Sequence, residues 1–272
     1  MPAPTTISID KLNRLIGTPG APHIIDVRNN EDYAADRRLL PSSTRQDYAT
    51  VAQWGLQYKA QSVVVSCHHG GKLSHGVAAW LRHMGADAIS LDGGFEGWKA
   101  QKCALTPESK IPLRDTQGRT IWVTRARPKV DRIACPWLIR RFIDPFAVFL
   151  FVLPAEVEGV AARFDATPFD VDGVFWSHRG DTCTFDTMLD EFGLGSEPLQ
   201  RLATIIRAAD TARPELAPEA AGLLAASLGL SRMYSDDLAQ LEAGMVLYDS
   251  FYRWCRDATE ETHNWPNNRS KP

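Results

Sequence analysis

The run 62–67, SVVVSC, shows no alternation of apolar and polar residues between its serines, so it reads as a strand covered on both faces. A parallel sheet between two layers of helices supplies both covers, and it requires helical segments between successive strands. The first hundred residues meet that requirement. PHIIDVR (22–28) reads as a strand, NEDYAAD as a helical turn, SHGVAAWLRHMG (74–85) as a helix closed by Gly85, and AISLDGG (88–94) as a strand entering a glycine turn. This half is α/β, a parallel sheet with helices on both faces.

Between Cys103 and Ile121 the chain becomes polar and breaker-rich, ALTPESKIPLRDTQGRT, without apolar periodicity. With 272 residues suited to two ordinary domains, the expected division is 1–105, a linker at 106–120, and 121–272. The second unit opens with a strand in TIWVTR. A helix follows in DRIACPWLIRRFIDP with Pro136 in its first turn, then a buried strand in FAVFLFVLP (146–154) and a third in VFWSH (174–178). Thereafter the pattern is helical. Leu238, Leu241, Met245, Tyr248, Tyr252 and Cys255 fall on one face of a last helix, with Ser235 as its cap and Asp236 and Asp237 in its first turn. The expected class of this unit is mixed, mainly helical α+β.

Thirty basic residues against 33 acidic ones give a net charge of -3, which leaves no global basic field and implies no nucleic-acid partner. No window reaches the apolar length of a membrane span, so no membrane partner and a cytoplasmic location are expected. The five cysteines contain no C-x-x-C pair, against both a disulfide framework and a zinc ribbon.

A cysteine ending such a strand stands at the carboxyl edge of the sheet, where ligands of open α/β sheets bind. The helix that follows directs its positive end at Cys67, and Gly70 and Gly71 let the main chain curl into an anion-binding nest. His68, His69, Lys72, Leu73 and Ser74 complete the loop, and a thiolate at neutral pH is expected there. The bland alternative is a cysteine that merely closes a buried strand.

Three ordered motifs, IIDVRNNEDYAA, the cysteine loop with its helix, and ISLDGGFEGW, resemble the rhodanese-like domains. The resemblance implies that Cys67 accepts a sulfane sulfur as a persulfide from a small sulfur donor and passes it to a thiol acceptor, with no cofactor required. The usual loop carries arginine five residues after the cysteine and serine next; here Lys72 holds the first place and Ser74 comes one position late, so the loop is one residue longer. That length is similar to the loop of related cell-cycle phosphatases, which grip an oxyanion.

Residues from 121 to about 258 resemble the C-terminal domain of the chromate-resistance regulator family, through WVTRARPKVDRIACPWLIRRFIDP, TPFDVDGVFWSHRGDTCTFDTML and the final YDSFYRWC. The resemblance implies a link to oxyanion or metal stress. Within this half His178, Cys183 and Asp186 are candidate ligands of a divalent metal ion, with help from Asp131 and Asp210; ordinary turn chemistry accounts for the same residues. Arg125, Arg127, Arg132, Arg140 and Arg141 suit either an anion pocket or a solvated, salt-bridged face. Two functions follow: a sulfurtransferase working through Cys67, or a metal- or oxyanion-binding sensor with a redox module.

Overall fold

The structure, a computed structural model, describes residues 5–261. The first half runs β1 (Thr6–Ile7), α1 (Ile9–Leu15), β2 (His23–Asp26), α2 (Asn30–Ala35), β3 (Arg38–Leu39), β4 (Ser43–Arg45), α3 (Val51–Trp54), β5 (Ser62–Ser66), α4 (Lys72–His83), β6 (Asp87–Leu91), α5 (Gly94–Ala100) and β7 (Thr106–Pro107). Five of its strands form a parallel sheet in the order β1-β6-β5-β2-β4. The central β5 is buried on both faces, and its valines divide by the two-residue period of a strand. Val63 and Val65 join a core with Val77 and Leu81 of α4, while Val64 joins Leu12, Phe95 and Trp98 on the opposite side. On α4, Ser74, Val77, Ala78 and Leu81 form the buried stripe that holds the helix to the sheet.

The second half runs β8 (Ile121–Arg125), α6 (Asp131–Phe142), β9 (Val148–Val152), α7 (Val157–Phe164), β10 (Thr167–Pro168), α8 (Thr184–Glu191), α9 (Glu197–Asp210), α10 (Ala220–Met233) and α11 (Asp237–Asp257). Its sheet is small and all parallel, β10-β8-β9, and helices make up most of the unit. The two halves share one apolar core, in which Ile16 and Leu105 meet Phe142, Leu199 and Tyr252. Gly17, at φ +79°, lets α1 end directly against the rings of Phe142 and Tyr252, where any side chain would collide. The segment between the halves is tied down on both sides: β7 pairs antiparallel with β3, and buried Asp144 accepts from the Thr120 amide (2.6 Å) and pairs with Arg114 (3.2 Å).

Four local expectations differ from the structure. Residues 174–178 form only a single bridge, Phe169 to Trp176, because Asp170 at φ +50° turns the chain away from a continuing ladder. Pro136 lies inside α6, five residues beyond its start; burial of both its neighbours, Cys135 and Trp137, offsets the lost backbone bond, worth about 3 kcal/mol. At the edge of its sheet, β9 buries only Phe149 fully. The cap of α11 is Asp236, accepting from the Ala239 amide at 2.7 Å, and Leu238 is left half exposed ahead of the buried stripe from Leu241 to Cys255.

Candidate functional site

Cys67 immediately follows β5, and its side chain is buried within the apolar cluster that holds Val65 and Val77. On its polar side the Gly71 amide donates to Sγ at 3.3 Å, and Ser74 Oγ lies 3.2 Å from the same sulfur. The longer loop therefore still delivers a serine to the thiol. Ser74 also donates to the Gly71 carbonyl at 3.0 Å, which fixes the hydroxyl above the sulfur. The amides of His68, His69 and Gly70, and those of Lys72, Leu73 and Ser74 in the first turn of α4, have no acceptor among the described residues. Free main-chain donors in a loop and first helical turn that begin at a thiol suit the binding of an anion. Lys72 and His69 are exposed at the rim of that loop and His68 is half-buried.

The glycine turn after β6 holds this loop in shape. Phe95 donates to the Cys67 carbonyl (2.9 Å) and Glu96 to the His68 carbonyl (3.0 Å), so the start of α5 grips the loop's own backbone. Gly94, at φ +56°, faces the Cys67 carbonyl and the Gly70 amide with no room for a Cβ. From the other side comes buried Arg28. Its Nε bonds Asp26 at 2.8 Å, its Nη1 and Nη2 bond the carbonyls of Asp36 (2.8 Å) and Arg38 (2.7 Å), and its guanidinium lies 3.7 Å from the Phe95 ring centre. The Asp-Val-Arg motif is thus a structural tie between β2, β3 and α5.

A second polar cluster forms at the carboxyl edge of the small sheet. His178 Nε2 lies 3.3 Å from Asp170 Oδ1, 3.3 Å from Asp210 Oδ2 and 3.7 Å from Asp131 Oδ2. Asp131, the first residue of α6, is buried and accepts from the Thr184 amide (2.6 Å) at the start of α8. Asp170 accepts from Thr184 Oγ1 at 3.0 Å, and its other oxygen meets Arg132 (3.2 Å) and Arg125 (3.5 Å). The hydrogen bond to Asp170 raises the His178 imidazole to about 9, against the opposite effect of burial. Burial, then the charges of Asp210 and Asp170, pushes the Asp131 carboxyl well above the ordinary carboxylate range.

Of the three metal candidates from the sequence, the structure places His178 among carboxylates and the other two at the start of a helix. Cys183 is buried as the cap of α8, and Asp186 accepts from the Cys183 amide (3.0 Å) and from Arg207 (2.8 Å). Both serve the helix start, and the donor atoms within ligand reach of His178 are those of Asp131 and Asp170 instead. Asp170 was missed because it lies eight residues upstream of His178; its signal is an acid two residues past the end of a short strand. Of the five arginines only Arg125 and Arg132 converge, both on Asp170. Arg140 pairs with Glu242 (2.5 Å), Arg141 with Asp249 (2.8 Å), and Arg127 bonds the Tyr234 carbonyl (3.0 Å), all tying α6 or its approach to the α10–α11 region.

Residues 8–101 match the rhodanese-like domain family and residues 122–255 match the family described as ChrB, C-terminal domain. Protein ChrB of Cupriavidus metallidurans is 42% identical over 147 residues, 52% of this chain and 43% of that protein. The chain thus spans less than half the length of that relative. Thiosulfate sulfurtransferase GlpE of Tolumonas auensis is 34% identical over 97 residues, 35% of this chain and 88% of that protein. Among solved structures, a rhodanese-related protein from Thermoplasma volcanium is 17% identical, covers 38% of this chain and 98% of its own, and gives a TM-score of 0.33. The chain belongs to the rhodanese-like family through its first hundred residues and to the ChrB C-terminal domain family through residues 122–255.

Proposed function

We propose that this protein is a sulfur carrier of the rhodanese type, with Cys67 as the acceptor and an association with chromate or other oxyanion stress through its second domain. The deprotonated Cys67 sulfur attacks the outer sulfur of a thiosulfate-like donor. A Cys67 Sγ–S bond forms as the donor S–S bond breaks, and sulfite leaves with the electron pair. An acceptor thiolate then attacks the outer persulfide sulfur and returns Cys67 as thiolate. In both steps negative charge stays on sulfur or the departing oxyanion, where the Gly71 amide on Sγ stabilises it and the acceptor-free amides of 68–70 and 72–74 are at hand in the same loop.

The observation that carries this reading is the Gly71 amide on the Cys67 sulfur, in a loop whose other amides, 68–70 and 72–74, have no acceptor among the described residues. Exposed Lys72 adds charge at the rim, without the planar fork of an arginine. Among the described residues no helix is long and apolar enough to cross a membrane, and all five cysteines are free, which suits a reducing, cytoplasmic setting. The test is thiocyanate formation from thiosulfate and cyanide. The intact protein should form it catalytically and Cys67→Ala should fall to background; an inactive intact protein, or equal rates from the two, removes the assignment.

A further inference from the structure

The cluster at His178 is unrelated to sulfur transfer and is assembled from four separate stretches of chain. Asp131 begins α6, Asp170 follows β10, His178 lies in the loop before α8, and Asp210 ends α9. Three carboxylate oxygens converge on one imidazole nitrogen at 3.3–3.7 Å. An imidazolium Nε2 has a single proton to donate, so it can bond only one of the three. The nearby arginines do not complete the pairing, because Arg125 and Arg132 both reach Asp170 Oδ2, the oxygen that does not face the imidazole. Two donors each about 2.1 Å from a shared ion, roughly 100° apart, lie about 3.2 Å from one another, which is the spacing found here. The donor atoms of Asp131, Asp170 and His178 all fall within 4.8 Å of each other.

A second feature marks the same place. Thr124 is fully buried near the end of β8 and its hydroxyl has no hydrogen-bond partner. Strand alternation puts it on the face of Trp122, whose ring packs on Phe169 and Trp176, the residues that bracket the Asp170 turn. The Phe169 amide bonds the Val123 carbonyl, so Thr124 stands level with Phe169 in the ladder, next to Asp170, and a buried hydroxyl left without a partner there suits the hydration shell of an ion. His178 and Asp210 stay partly exposed, which leaves a way in.

We propose that Asp131, Asp170 and His178 Nε2 bind one divalent cation of the hard-to-borderline class, with Mn2+ as the representative ion and the Asp210 carboxylate adding negative charge beside it. Oxygen-rich donors with one imidazole favour that class over soft, thiolate-seeking metals. The neutral imidazole then turns its lone pair to the ion, and the three carboxylates no longer compete for one proton.

The test uses the full chain, stripped of metal and titrated with Mn2+ while free Mn2+ is followed by electron paramagnetic resonance. One ion per chain should bind, and Mn2+ should raise the melting temperature. His178→Gln and Asp210→Asn, both on the exposed side of the cluster, should keep the far-ultraviolet circular dichroism of the native chain. Each should weaken binding by about tenfold or more. Absence of saturable binding by the intact chain to either Mn2+ or Zn2+ would overturn the site in favour of a plain ion-pair network. So would variants that fold and bind Mn2+ as tightly as the native chain.

Discussion

The Cys67 loop and the His178 cluster hold the same station in two sheets, the carboxyl ends of parallel strands beside a helix start, and they are built from opposite materials. At Cys67 the groups are main-chain donors from seven consecutive residues, 68–74, shaped by a glycine turn. Around His178 they are side-chain acceptors gathered from four distant stretches. A site made of amides depends on backbone conformation and suits an anion; one made of carboxylates depends on packing and suits a cation. Substitutions that disturb backbone shape should therefore damage the first site, and isosteric changes of charge the second.

The largest expected effect is that of Arg28→Ala. It leaves Asp26 buried without its partner and strips the donors from the Asp36 and Arg38 carbonyls, at about 3–5 kcal/mol in urea unfolding. Next comes Gly94→Ala, which places a Cβ against the Cys67 carbonyl at a positive φ. A loss of about 1–3 kcal/mol and at least tenfold slower thiocyanate formation should result, with no change in Mn2+ binding. A smaller effect of opposite sign is expected from Asp131→Asn. The amide keeps an acceptor for Thr184 and relieves the repulsion from Asp170 and Asp210, so the metal-free protein should melt higher by the equivalent of about 1 kcal/mol while its Mn2+ shift disappears. A lower melting point in the metal-free variant would show that the three carboxylates do not strain each other.

The smallest effect tests a contact belonging to neither site. Glu191 binds Lys110 of the connecting segment at 2.5 Å and Arg179 at 2.6 Å, and these cations hold its carboxyl below the ordinary value. Its stabilisation is complete above the unfolded carboxyl value, about 4.5, and is lost as pH falls through the lowered folded value. Solvent screening keeps it under about 1 kcal/mol. Glu191→Gln should lower the melting temperature slightly at pH 7, by an amount that shrinks as pH falls below about 4.5.

How much of each site the sequence reveals follows from the same contrast. The cysteine loop is legible because strand, thiol, glycines and helix are contiguous, so its motif is also its geometry. Its support is less so: the pattern contains Gly94 and Arg28, but only the fold shows them gripping the loop. His178 stands out as a histidine in a half that uses few, and Asp131 and Asp210 can be named as helpers; Asp170 cannot be ranked above Cys183 and Asp186 on proximity along the chain. Those two are nearer in sequence but are spent on the start of α8. Pro136 misleads for a related reason, since burial of α6 on nearly every side outweighs a local preference that places proline in the first turn.

The central claim is that Cys67, alone among the five thiols, holds transferable sulfur. Burial pushes the Cys135 and Cys183 thiols well above their ordinary value and that of Cys255 to about 11, which leaves those three unreactive at neutral pH. Mass spectrometry of the native protein after incubation with thiosulfate reads the claim directly. The account predicts one added sulfur atom per chain, located on the peptide that contains Cys67 and removed by cyanide. No added sulfur, or sulfur spread over other cysteines and retained in Cys67→Ala, would contradict it.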